Sequence, residues 1–149
     1  MKKYELIPEG KLFRIIALKA FNGVRKGYFG GVVENINNLG QQGNCWIHEN
    51  AKVTGNAKVR GDAQVSGDAE VTGNAEVSGN AEVTGNAKVY GNAKVYSTAY
   101  VSGNALVSGD ARVTGNAEIY GNAKVSGDAE VSGNAEIYGN ARIMGNALV

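Results

Sequence analysis

Gly55-Asn56-Ala57-Lys58-Val59-Arg60-Gly61-Asp62-Ala63-Gln64-Val65-Ser66 holds the same six-residue word twice. The word is a glycine with Asn or Asp, an alanine, a variable residue, an aliphatic and a second variable residue. Followed in both directions, Gly-[Asn/Asp]-Ala-x-[Val/Ile]-x runs without insertion from Gly43 to Val149, as seventeen full hexads and five residues of an eighteenth. The aliphatic position is filled in every hexad, from Ile47 to Val149, and the position two before it is alanine except at Cys45. Only Glu49, replacing glycine, and Ser97-Thr98, replacing the pair, depart from the Gly-[Asn/Asp] corner.

In a strand, residues two apart face the same side, so the alanine and the valine point inward together. The variable residues, Lys58 and Arg60 in the quoted stretch, then point outward. Gly-Asn or Gly-Asp supplies a corner, because both residue types tolerate left-handed backbone. Short strands with a corner every six residues wind a parallel solenoid. An Ala–Val interior is too thin for a two-layer sandwich but fills a narrow coil. One hexad buries almost nothing, and stacking supplies the continuous core and hydrogen-bond ladder.

This repeat resembles the hexapeptide-repeat, left-handed parallel β-helix family from Gly43 to the last residue. The resemblance implies three hexads per triangular coil and about six coils, a prism roughly 29 Å long at ~4.8 Å per strand. The left hand comes from the resemblance alone, since crossovers are generally right-handed. A right-handed β-helix and a disordered Gly/Asn-rich array are the competing readings, disorder being the weaker because the aliphatic position never fails. The expected class is therefore all-β, with a solenoid over 43–149 and a small β cap over 1–42.

The cap is different in kind. Leu12-Phe13-Arg14-Ile15-Ile16-Ala17-Leu18 is strand-like, and Asn22-Gly23 before Val24 is a hairpin signal. Gly27, Gly30 and Gly31 interrupt the stretch around Tyr28-Phe29, and Val32-Val33 resumes it. A solenoid needs its first coil covered, and this segment predicts the cover. Gly30-Gly31-Val32-Val33, Leu39 and Gln42-Gly43-Asn44-Cys45-Trp46-Ile47 with Asn50-Ala51 resemble the N-terminal region of YdcK-like bacterial and prophage hexapeptide proteins.

Composition narrows the function classes. The chain of 149 residues has a formal charge of +1, 22 glycines, one proline, one cysteine and one histidine. That balance predicts no nucleic-acid partner, and the short apolar runs predict no membrane span. Met1-Lys2-Lys3 leads into Tyr4-Glu5-Leu6-Ile7-Pro8-Glu9, too polar for a signal-peptide core, so a cytoplasmic location is expected. One cysteine permits no internal disulfide, and no metal or other cofactor is expected.

Many hexapeptide-repeat proteins are acyltransferases with an acyl-coenzyme A donor, and the resemblance makes that the alternative function. Such enzymes use a histidine as general base. The single histidine, His48, lies in the first hexad beside Trp46, no hexad is interrupted by a loop, and it is a weak catalytic candidate. The γ-class carbonic anhydrases need three histidines for zinc, which one histidine cannot supply. Cys45 occupies an inward slot and reads as a buried, inert thiol. Asp110 and Asp128 sit one coil apart at equivalent corners, but two carboxylates are too few for calcium. Outward Ser and Thr alternate with charges, which spoils a flat ice-binding lattice.

Sorting hexads by threes separates the faces. The first carries Trp46/His48, Gln64, Glu82, Tyr100, Glu118/Tyr120 and Glu136/Tyr138, with three carboxylates and no Lys or Arg. The other two carry four basic residues each, against one and two acidic. Competing with an ordinary solvated prism is a binding face built from Trp46, Glu82, Tyr100, Glu118, Tyr120, Glu136 and Tyr138, because aromatics enrich interface cores. Its partner is another protein or a second copy. At the C-terminal end, Ile143, Met144, Leu148 and Val149 predict an association surface. The expectation is a non-enzymatic, self-associating scaffold or binding module, as an end-to-end dimer first and a side-by-side trimer second.

Overall fold

A computed structural model describes residues 2–149. The chain opens with three antiparallel strands, β1 (Tyr4–Glu9), β2 (Leu12–Ala17) and β3 (Phe29–Val33). β1 pairs β2 from Tyr4↔Ala17 to Glu9↔Leu12. Pro8 is tolerated in β1 because that strand is the sheet's edge. The Asn22-Gly23 hairpin forms as expected inside the β2–β3 connection. Phe21 and Val24 exchange hydrogen bonds of 2.9 and 2.7 Å across it. Both turn residues take positive φ, 39° at Asn22 and 83° at Gly23.

From Trp46 onward there is one two-residue strand per hexad, β4 (Trp46–Ile47) through β20 (Arg142–Ile143). Each strand pairs in parallel with the strand three hexads away, giving three sheets and about six coils of all-β solenoid. The sort by threes is reproduced. Trp46, Gln64, Glu82, Tyr100, Glu118 and Glu136 share one sheet; Lys52, Glu70, Lys88, Leu106, Lys124 and Arg142 share another. The ladder continues through the corners: Lys88 N donates to Ala105 O at 3.0 Å, Tyr90 N to Val107 O at 2.9 Å and Asn92 N to Gly109 O at 2.7 Å. The inward Ala and Val residues from Ala51 to Val131 are buried.

The corners refine the expectation. The glycine alone takes the left-handed conformation, for instance +65° at Gly109, while its Asn or Asp neighbour does not. A Cβ on Gly109 would also lie 2.8 Å from Gly127 N in the next coil, so stacking itself demands glycine. Ser97 adopts the same conformation at φ 60° in the one irregular corner. Its neighbour Thr98 donates a 2.8 Å bond to Gly115 O.

The cap and solenoid share one sheet. β3 is antiparallel to β2 on one side and parallel to β5 (Lys52–Val53) on the other, with Val33 opposite Val53. The joint is tight at Gly31, where a Cβ would fall 2.4 Å from Ala51 O. A 3-10 turn over Ile36–Asn38 follows, and Leu39 bridges Val59 in parallel. Asn38, buried, donates to Ala57 O at 2.8 Å and Gly55 O at 3.1 Å. An irregular first coil thus precedes the perfect hexads.

Candidate functional site

One sheet concentrates the unusual chemistry. Across its strands Glu82 faces Tyr100, Tyr100 faces Glu118, and Glu118 faces Glu136. Beside the Glu118–Glu136 pair the rings of Tyr120 and Tyr138 stack at 5.5 Å and 12°, with Tyr138 58 % exposed. Partial desolvation, with Glu136, Tyr138 and Glu118 nearby, holds the Tyr120 phenol above its ordinary range. Among the described residues no cation lies within ion-pair distance of Glu82, Glu118 or Glu136.

The other faces neutralise their carboxylates. Glu70 lies 3.7 Å from Lys88, Glu76 pairs with Arg60 and lies 4.0 Å from Lys94, and Glu130 lies 3.9 Å from Arg112. Lys124 and Arg142, directly opposite each other, have no such partner among the described residues.

Trp46 corrects the sequence reading. Its position in the hexad is outward, but the indole is completely buried under the cap. The rings of Tyr4 and Phe21 meet it edge-on at 6.4 and 5.4 Å. Trp46 therefore belongs to the cap contact and not to the exposed face. Its Nε1 is the one buried side-chain nitrogen or oxygen among the described residues without a hydrogen-bond partner.

Two residues that close this end were not singled out from the sequence. Lys3, 1 % exposed, donates from Nζ to Cys45 O at 2.8 Å and Gly43 O at 3.2 Å, and lies 5.1 Å from the Phe21 ring centroid. Tyr4 directs its hydroxyl at Leu39 O and, at 3.0 Å, Ile36 O. Burial, and secondarily Cys45, pushes the Tyr4 phenol well above its usual range. Neither residue lies in a periodic stretch, so pattern reading had no purchase on them. Cys45 is buried, 3.2 Å from Lys3 Nζ.

His48 is half-buried, with Nε2 2.9 Å from Gln64 Oε1, and lines a shallow hollow with Arg25 and Tyr28. Gln64 is held in turn by Asn44 O at 2.8 Å. This arrangement orients the ring against a carboxamide. No group of three His, Cys, Asp or Glu is placed to hold a metal among the described residues. Asp110 accepts a 3.0 Å bond from Asn92 in the corner ladder that begins at Asn56 and Asn74.

The sixth coil is the exposed end. β19 (Glu136–Ile137) and β20 are sheet edges, and Leu148 bridges Glu130. Ala135, Ala141, Ile143 and Ala147 are only partly buried, while Met144, Leu148 and Val149 are 58, 77 and 44 % exposed.

A family model described as bactofilin, polymer-forming cytoskeletal, matches residues 36–147. The chain belongs to the bactofilin family. The bactofilin match opens at Ile36, in the 3-10 turn of the irregular first coil, and takes in all the regular hexads except the last two residues. No curated protein matches the chain. No helix among the described residues is long and apolar enough to cross a membrane.

Proposed function

We propose that this chain is a non-enzymatic scaffold subunit that polymerises in the cytoplasm, using the C-terminal coil as an association surface. The observation that carries this is the difference between the two ends of the solenoid. Large cap side chains bury the first coil, whereas Ile143 and Ala147 remain partly open beside exposed Met144, Leu148 and Val149. Unpaired strand edges template further pairing. The bactofilin description, polymer-forming and cytoskeletal, supports the same reading. Residues 1–42 act as the cap of this subunit, with a resemblance to the N-terminal region of YdcK-like proteins, and residues 43–149 as its stacking body.

Two copies meeting C-terminal coil to C-terminal coil about a two-fold axis bury both open edges at once. That contact closes at a dimer, so a polymer needs another on each subunit. Sedimentation velocity and negative-stain electron microscopy of the 149-residue chain test the reading. Species of at least two chains at micromolar concentration, extending to polymers at low salt, are expected. A monomer under all these conditions would overturn it.

A further inference from the structure

The last two coils carry two like-charge pairs, and the fold offers neither a reason. Like charges directly opposite each other on neighbouring strands are destabilising. The chain avoids or compensates such pairs elsewhere: Lys94 and Arg112 are also opposite each other, but Glu76 and Glu130 flank them in the same ladder. Glu118–Glu136 has Tyr100 as its next neighbour, and Lys124–Arg142 has Leu106. Neither pair is compensated within its ladder among the described residues.

We propose that the acidic, tyrosine-bearing face of the last two coils docks on the Lys124–Arg142 ladder of a second copy lying alongside. The two pairs share one pitch, because each spans adjacent parallel strands, about 4.8 Å apart. Laid side by side, two carboxylates of one copy therefore meet two cations of the next in register. The stacked Tyr120–Tyr138 pair lies beside the carboxylates, and exposed Met144 lies beside Arg142, so an apolar contact accompanies the charged one. All four charged residues are exposed in the single chain. The two surfaces lie on different faces, so the contact is head-to-tail: it makes a ring if the rotation closes and a continuing array if it does not. This rests on the reading that copies of this chain associate, and it names the second contact that a polymer requires.

The test is a charge swap on the full chain. One variant carries Glu118→Lys and Glu136→Lys, a second carries Lys124→Glu and Arg142→Glu, and a third carries all four changes. Sedimentation velocity is run at low salt, with circular dichroism melts confirming that each variant folds. Each two-site variant alone is expected to lose species beyond the end-to-end dimer. Mixing the two, or making all four changes in one chain, is expected to restore them, because opposite charges again face each other. Raising the salt should reduce the restored and the unaltered assemblies alike to the end-to-end dimer. Two-site variants that assemble like the unaltered chain, or a mixture that stays dissociated, would overturn the lateral contact while leaving the end-to-end one standing. An unaltered chain that is monomeric throughout would overturn both. Assembly recovered only by adding a basic peptide would assign the acidic face to another protein and reject the second copy as its partner.

Discussion

At the N-terminal end Trp46, Tyr4, Lys3, Ile15 and Leu39, among the largest fully buried side chains of the described residues, crowd against the first coil. At the C-terminal end the interior finishes in alanine, isoleucine and valine that stay partly exposed. The coils between are nearly interchangeable, each hexad burying the same two small side chains and each coil passing the same ladder to the next. Solenoid stability is approximately a sum over repeats and their interfaces, so the repeat itself has no device for stopping. Covering a coil needs residues outside the pattern, and Lys3, Tyr4 and Phe21 supply them over the first coil.

The largest losses are expected in the middle of the solenoid. Val89→Asp would put an unpaired carboxylate in a dry interior and should cost about 5 kcal/mol or more. Its outward neighbour Lys88→Asp should cost no more than about 1 kcal/mol, the scale of an exposed ion pair. Comparable losses in chemical denaturation would contradict the inward and outward assignment.

Trp46→Ala comes next, at about 3–5 kcal/mol for a buried aromatic. The loss should fall mainly on the cap, read as faster amide exchange at Tyr4 and Phe21 with the central strands still protected. Uniform loss of protection along the coils would mean that cap and solenoid melt as one unit.

Glycine corners sharpen the contrast between middle and end. Gly109→Ala combines a left-handed alanine with a Cβ 2.8 Å from the next coil and should cost about 2 kcal/mol. Gly145, also left-handed at 67°, has nothing within 4 Å of that Cβ, so Gly145→Ala should cost about 1 kcal/mol in the dissociated chain. Equal costs would indicate that stacking does not select glycine. His48→Ala, losing one contact to Gln64, should cost about 0.5 kcal/mol and leave assembly unchanged. Acyl-coenzyme A binding that disappears in this variant would contradict a non-enzymatic role.

The period of six made the solenoid, its three sheets and its inward residues readable, because every hexad repeats one physical solution. The cap was readable where it used local rules, at the Leu12–Leu18 strand and the Asn22-Gly23 turn. It was not readable where long-range packing decided. Trp46 occupies an outward slot, and only the folding back of Tyr4 and Phe21 onto it, more than twenty residues away, buries it. Lys3 was hidden for the same reason, since a buried ammonium has no sequence signature apart from the carbonyls it meets. The acidic–tyrosine face was visible as composition. Its lack of compensating cations needed the ion-pair geometry of the other two faces.

Light scattering on the intact chain and on an Ile143→Lys, Val149→Lys variant decides whether the C-terminal coil is an association surface. The measurement belongs at about 1 M salt, where a screening length of about 3 Å suppresses lateral charge contacts. The intact chain should then have twice the mass of the single 15.5 kDa chain, and the variant should have the single-chain mass. An intact chain of single mass, or a variant that keeps the doubled mass, would contradict the account.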